Sequence, residues 1–261
     1  MKIVTWNCNG GLRNKLHAVD SLDADLVVVQ ECEDPAQSTK AYREWAGDYI
    51  WYGKNKNKGI GVFTRNAQFV RPATWSGTFT LKGLGSLSRP IVWRTEDLEL
   101  FLPFLLNEKF TFLVCWTKGG DSKAFGYIGQ LWKYLQIHKV ELSDPNTIVL
   151  GDFNSNSIWD KDDRWWNHSD VVEELGDIGL KSVYHNSEKE PQGAETQNTF
   201  SLQRNRLKAY HIDYAFVSEN LLPGCTLTIG DPDSWLAISD HMPLVLTLSP
   251  DQLSGNPPSL E

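Results

Sequence analysis

Carboxylates, asparagines and one histidine recur in this 261-residue sequence at the ends of short apolar runs. Asn7 and Asn9 follow Ile3-Val4-Thr5-Trp6, and Glu31 follows Leu26-Val27-Val28-Val29-Gln30. Asp152 and Asn154 close the run that starts Thr147-Ile148-Val149-Leu150. Asp213 opens a late run in His211-Ile212-Asp213-Tyr214, and Asp240-His241 precedes the last one. Sheets gather strand-end side chains on a common rim, where open α/β folds bind ligands. Carboxylates crowded there raise one another's pKa unless a cation sits among them. An oxygen-only donor set with asparagine amides suits Mg²⁺ or Mn²⁺ and not Zn²⁺. A histidine beside an aspartate adds an imidazole whose charge a carboxylate stabilises. Together these groups fit metal-assisted attack of water on a phosphate ester. Taken singly, each cluster also reads as a turn or a cap; the inference rests on the five together.

The elements that must hold them alternate. Ile3–Trp6 is an apolar strand, and Leu12, Leu16, Val19 and Leu22 recur at helical spacing. The unbroken run 25–31 is how a strand buried on both faces reads. Shorter strands are expected at 49–52, 61–64 and 91–94, a strong one at Phe110–Trp116, and a helix over about 127–142. The 147–150 strand, a short helix near 171–175, and strands at 211–217 and 243–248 complete the pattern. Buried strands interleaved with helices imply an α/β protein, and the strand-rich stretch 63–112 implies mixed sheets. No linker interrupts 2–249, so one domain is expected over 1–249, with a flexible tail at 250–261 rich in Ser, Gly and Pro.

Charge and cysteines narrow the class. The net charge is −8, which excludes binding to nucleic acid by bulk positive charge. The distribution is uneven, because 49–95 holds no acid and eight cations: Lys54, Lys56, Lys58, Arg65, Arg71, Lys82, Arg89 and Arg94. Cys8, Cys32, Cys115 and Cys225 form no zinc-type pair, and apolar surroundings suit buried reduced thiols. No run approaches the roughly 20 apolar residues of a membrane helix. The N-terminal segment reads as a strand and not a signal peptide, so a soluble, cytoplasmic monomer is the expectation.

The segments Met1–Gly10, Gln30-Glu31, Gly151-Asp152-Phe153-Asn154, His211-Ile212-Asp213-Tyr214 and Ser239-Asp240-His241, in that order, resemble the motifs of the exonuclease–endonuclease–phosphatase superfamily. Exonuclease III-like repair enzymes, pancreatic deoxyribonuclease, inositol polyphosphate 5-phosphatases and neutral sphingomyelinases belong to it. Gly59-Ile60-Gly61-Val62 matches the family's glycine-flanked strand. The resemblance implies a four-layered α/β sandwich, with two packed mixed β-sheets flanked by helices. It also implies that Glu31 is the main Mg²⁺ ligand, with Asn7 close by and Asp240 in the metal neighbourhood. Asp152 would activate the attacking water, Asn154 would hold the phosphate, and His241, oriented by Asp213, would donate to a phosphoryl oxygen. The sequence departs from the family at several points. Trp116 stands where a Tyr or His is usual, leaving Lys118 to supply charge; His211 replaces an Arg and Asn9 an Asp. Ser201 replaces the Trp of abasic-site enzymes.

Substrate-binding candidates are Asn9, Lys118, Lys54, Lys56, Lys58 and Arg204 for phosphates. Trp159 and Trp165, in the polar loop after Asn154, could stack on bases or pack onto the core. The acid-free span could face a polyanion or be a solvated surface. The leading reading is a phosphodiesterase of nucleic acid, with DNA as substrate and endonuclease or 3′-exonuclease activity. The alternatives are a phosphatase or phosphodiesterase of a small or lipid-linked phosphoester, and a degenerate member that only binds a partner.

Overall fold

The computed structural model describes residues 1–66, 68–82, 87, 89–119, 124–250 and 252. Its first half contains strands β1 (Lys2–Asn7), β2 (Leu26–Cys32), β3 (Tyr49–Asn55), β4 (Lys58–Thr64), β5 (Val70–Pro72), β6 (Thr78–Leu81), β7 (Ile91–Arg94), β8 (Phe101–Leu106) and β9 (Phe110–Trp116). Its second half contains β10 (Thr147–Asp152), β11 (Leu180–Ser182), β12 (Phe200–Ser201), β13 (Ala209–Tyr210), β14 (Asp213–Ser218), β15 (Cys225–Ile229) and β16 (Leu244–Leu248). The α-helices are α1 (Leu16–Asp20), α2 (Lys40–Ala46), α3 (Ile128–Leu142), α4 (His168–Asp177), α5 (Val183–Glu188) and α6 (Pro232–Trp235).

Two six-stranded sheets pack face to face. One runs β15-β16-β1-β2-β4-β3 and the other β11-β14-β10-β9-β8-β5. Both are mixed: β1 and β2 form the parallel pair of the first, β9 and β10 that of the second, and the remaining pairs are antiparallel. Period-two geometry explains the unbroken apolar runs. Phe110, Phe112, Val114 and Trp116 of β9 point into the core between the sheets, where Val28, Val62, Leu150 and Ala215 meet them. Leu113 and Cys115 of the same strand point outward onto Leu131 and Leu135 of α3 and Val171 and Leu175 of α4. On the other outer face, Val27 and Val29 of β2 are covered by Val19 of α1, Tyr42 and Ala46 of α2 and Trp235 of α6. Helices on both outer faces complete the four-layered α/β sandwich.

Some elements differ from the sequence expectation. The helix expected from Leu12 to Leu22 is a 3₁₀ turn, Leu12–Asn14, and then α1, divided at Lys15. Glu33 causes the division, because its carboxylate accepts from Leu12 N at 2.8 Å and takes the Arg13 guanidinium at 2.6 Å, pinning the first turn to the rim. Lys15 turns back onto the Cys8 carbonyl. Helices α2 and α5, too short for periodicity to show, start at the side-chain caps Thr39 and Ser182. The four cysteines are free thiols, with Cys8, Cys32 and Cys115 buried. Apart from Pro250 and Gln252, the expected tail lies outside the described residues. Among the described residues no helix is long and apolar enough to cross a membrane.

Candidate active site

The C-terminal ends of β1, β2 and β10, the start of β14 and the turn before β16 meet on one rim, and each delivers a polar side chain. Asn7, the last residue of β1, spans the two sheets: its Nδ2 donates to Asp152 Oδ2 at 2.9 Å and to Glu31 Oε1 at 3.4 Å. Glu31 sits at a bulge in β2, where the register with β4 shifts between Gln30 and Cys32, and its φ is +64°. A bulge re-aims one side chain out of the alternation, so Glu31 turns to the rim while Gln30 and Cys32 stay buried. Asn9 (φ +53°) and Asn154 (φ +46°) are left-handed too. Non-glycine residues held there cost of order 1 kcal/mol or more, and such strain collects at functional sites.

Gly151 sets the approach of Asp152. With φ +129°, any Cβ on it would lie 2.1 Å from the Cys115 carbonyl oxygen of the neighbouring strand. Asp152 follows, fully buried, and pairs directly across the ladder with Asp213. Like charges opposite one another destabilise a sheet, and His241 answers that repulsion. Its Nδ1 lies 2.9 Å from Asp213 Oδ2, and its Nε2 lies 4.0 Å from Asp152 Oδ2. Burial alone would favour a neutral ring, but Asp213 and Asp152 together outweigh it and raise His241 to about 9. Burial, reinforced by Asp213, raises Asp152 to about 7, against the pull of His241 and the hydrogen bonds from Asn7 and Asn154. Near neutral pH the imidazole is therefore cationic, and Asp152 is poised to take or hold a proton.

The surroundings fix these groups. Asn154 donates from its backbone N to Asp152 Oδ1 at 2.8 Å and from Nδ2 to Asp152 Oδ2 at 2.9 Å, with a further bond to Thr117 O at 3.0 Å. Thr199 Oγ1 accepts from Ile212 N and Asp213 N, both at 3.0 Å. Ser239 Oγ donates to Asn7 O at 2.9 Å and accepts from His241 N at 3.1 Å, and Trp6 Nε1 donates to His241 O at 2.9 Å. Behind the rim lies a buried polar network. Asn156 Nδ2 donates to His211 O at 2.9 Å and Glu195 Oε2 at 3.0 Å, and Tyr214 OH also donates to His211 O at 2.9 Å. His185 Nε2 stands 3.0 Å from Glu195 Oε1. Sequence reasoning assigned no role to Thr199, Ser239, Asn156 and Glu195, although Ser239 stands inside the Ser239-Asp240-His241 motif.

The donors suit a hard divalent ion. Glu31 is half-buried, carboxylate oxygens of Glu31 and Asp152 converge on Asn7 Nδ2, and the Lys58 ammonium rests on Glu31 Oε2. Among the described residues, ligand atoms of Asp152, Asp213 and His241 also lie within 4.8 Å of one another. Within that trio His241 Nδ1 already lies 2.9 Å from Asp213 Oδ2. Asp240 is half-buried, with Oδ1 3.5 Å from Ser239 Oγ, and its charge adds to those raising His241.

The remaining candidates are more scattered. Trp116 is buried in the intersheet core, and Lys118 Nζ lies 4.3 Å from its ring centroid. Asn9 is exposed, and its N donates to Asn7 Oδ1 at 3.0 Å. Lys54, Lys58, Arg71 and Arg94 pair with Glu99, Glu31, Glu108 and Glu96, so half of the eight cations in the acid-free span meet acids from outside it. Lys56 is exposed. Arg204 donates to the carbonyls of Ala237 and Ile238. Trp165, 47% exposed, makes edge-on contacts with Phe125, Trp132 and Trp166, and Trp159, 45% exposed, packs at 5.0 Å on Tyr210.

Residues 4–241 match the model of the Endonuclease/Exonuclease/phosphatase family. The chain belongs to this family. It is a phosphoester hydrolase. Solved structures similar in fold include the 3′ phosphatase NExo from Neisseria bound to a product DNA hairpin, with a TM-score of 0.68 and 20% identity over 95% of this chain and 99% of that one. An AP endonuclease from Archaeoglobus fulgidus gives 0.64 and 17% over 95% and 99%. A functionally unknown protein from Enterococcus faecalis gives 0.54 and 17% over the same shares. No curated protein matches the chain.

Proposed function

We propose that this family member is a Mg²⁺- or Mn²⁺-dependent phosphodiesterase of nucleic acid, cleaving DNA as an endonuclease or 3′-exonuclease. The observation that carries the reading is the hydrogen-bonded line Glu31–Asn7–Asp152, facing the Asp213–His241 pair across a few ångströms. Fold neighbours named for action on DNA 3′ ends and AP sites support the choice of substrate. Glu31 would hold the divalent ion, with Asn7 beside it and Asp240 in its neighbourhood. When bound, such an ion neutralises developing charge on the phosphate oxygens.

The chain's own groups divide the remaining work. Asp152 accepts the proton of the attacking water, held in place by Asn7 and Asn154. His241 donates to a phosphoryl oxygen, with Asp213 keeping the ring charged and oriented. Trp116 walls the site, and Lys118, over its ring, supplies charge on the leaving-group side. The protein would act as one domain over 1–249 and as a monomer, and its free thiols suit the cytoplasm.

The test is a substrate panel of supercoiled, nicked and abasic DNA, RNA and an inositol polyphosphate, with Mg²⁺ or Mn²⁺. Cleavage of DNA, abolished by EDTA, is the expected result. Phosphate release from the inositol compound with every nucleic acid intact would refute the proposal in favour of the small-phosphoester alternative.

A further inference from the structure

Beside Asn154 the rim opens into a cleft of about 240 Å³ that none of the catalytic groups fills. Asn154 forms the end next to the reacting centre, and the walls include Tyr127, Trp159, Lys161, Arg164 and His168. Size is the first clue. Sites that enclose a whole drug-sized ligand run to roughly 300–1,000 Å³, so this cleft suits one unit of a longer chain. The second clue is two aromatic rings left open, Tyr127 at 53% and Trp159 at 45% exposure. Tyr127 is moreover held at φ +52°.

Charge is the third clue. Lys161 and Arg164 line the cleft, Arg164 Nε lying 3.7 Å from the exposed Asp163 carboxylate, while the one acid among the described lining residues, Asp160, uses both oxygens on the backbone N–H groups of His168 (2.9 Å) and Ser169 (3.1 Å). His168 gives the fourth. Its ring is almost wholly buried, Nε2 lies 3.1 Å from Gln192 Oε1, and Nδ1 has no hydrogen-bond partner among the described residues. Burial lowers His168 to about 4, so the ring is neutral. With Nε2–H donating to Gln192, Nδ1 is an acceptor without a donor, a costly condition in a folded interior.

We infer that this cleft is a nucleotide subsite, binding the nucleoside next to the scissile phosphate by stacking on Trp159 and Tyr127 and its flanking phosphate by Lys161 and Arg164. The inference rests on the nucleic-acid reading above and adds to it a place where a base, and not only backbone, is held. A small polyphosphate would use the two cations and leave the rings idle.

Binding without turnover separates the possibilities. Fluorescence anisotropy of a short labelled single strand, and of an abasic strand of equal length, is titrated in EDTA against wild type, Trp159→Leu and the double variant Lys161→Ala/Arg164→Ala. Circular dichroism checks that each is folded. Stacking of one base corresponds to roughly 5- to 150-fold in affinity, so Trp159→Leu is expected to weaken the base-bearing strand about tenfold and spare the abasic one. The double variant is expected to weaken both and to flatten the log–log salt slope by about 0.7, the value for one single-strand phosphate contact. Wild-type binding that both variants leave unchanged would overturn the subsite while the nuclease reading stands. Failure of wild type to bind either strand, with an inositol polyphosphate bound instead, would overturn both.

Discussion

At the residue scale the site is a problem in charge crowding. Asp152 and Asp213 face each other across adjacent strands, and His241 is the buried cation that makes the pair tolerable. Two measurements follow. In the metal-free protein, NMR titration of the His241 ring should give a value near 9, and Asp213→Asn should lower it, because Asp213 is the strongest of the groups raising it. A wild-type value at or below 6.5 would contradict the account. These residues were legible in the sequence because each sits at the end of an apolar run, where polarity stands out. The partnership of Glu31 with Lys58 was not, since it joins positions 27 apart on the neighbouring strands β2 and β4, with α2 and β3 between them in the chain. Nor was the neutralisation of the acid-free span, whose partners Glu99, Glu108 and Glu96 lie beyond its end.

At the scale of elements, strand ends aim the chemistry and small departures from regularity do the aiming. The bulge in β2 turns Glu31 outward, and Gly151 lets β10 pass so close to β9 that no other residue fits. Gly151→Ala combines a backbone contact of 2.1 Å with a strained φ. It is expected to cost more than about 3 kcal/mol, in the range reserved for disrupted backbone positions. Denaturant unfolding would show this, and a loss below about 1 kcal/mol would mean that β10 need not pass so close. Strands β9 and β10 could be read from the sequence almost to the residue, because burial on both faces leaves an unbroken apolar run. The division at Lys15 could not, because it depends on a carboxylate, Glu33, that arrives from just beyond the end of β2.

At the scale of the whole molecule, the buried polar network behind the rim ties stability to pH. His168 sits at about 4 against an ordinary 6.5, so the unfolded chain binds the proton more readily throughout that interval. The stability its neutral form confers is present above 6.5 and is lost as pH falls towards 4, by up to roughly 3 kcal/mol. Glu195 extends the loss. Although burial opposes its charge, His185, Gly193 N and Asn156 hold it at about 2 against 4.5, so its contribution disappears between those values. Urea unfolding from pH 7 to pH 4 should show this decline, and His168→Gln should flatten it; equal slopes in the two proteins would exclude His168 as the cause. The net charge of −8 takes its place in the same picture. Four of the acids, Glu31, Asp152, Asp213 and Asp240, belong to the rim and oppose a phosphate only until cations join them. The central claim is that Asp152, buried between two sheets and poised near 7, activates the water. Cleavage of DNA in Mg²⁺ by wild type and by Asp152→Asn, with the melting temperature of each, tests it most directly. The account predicts a fall of about 10²–10⁴-fold in kcat in a variant at least as heat-stable as wild type, since a crowded buried charge has been removed. Equal turnover by the two proteins would contradict it.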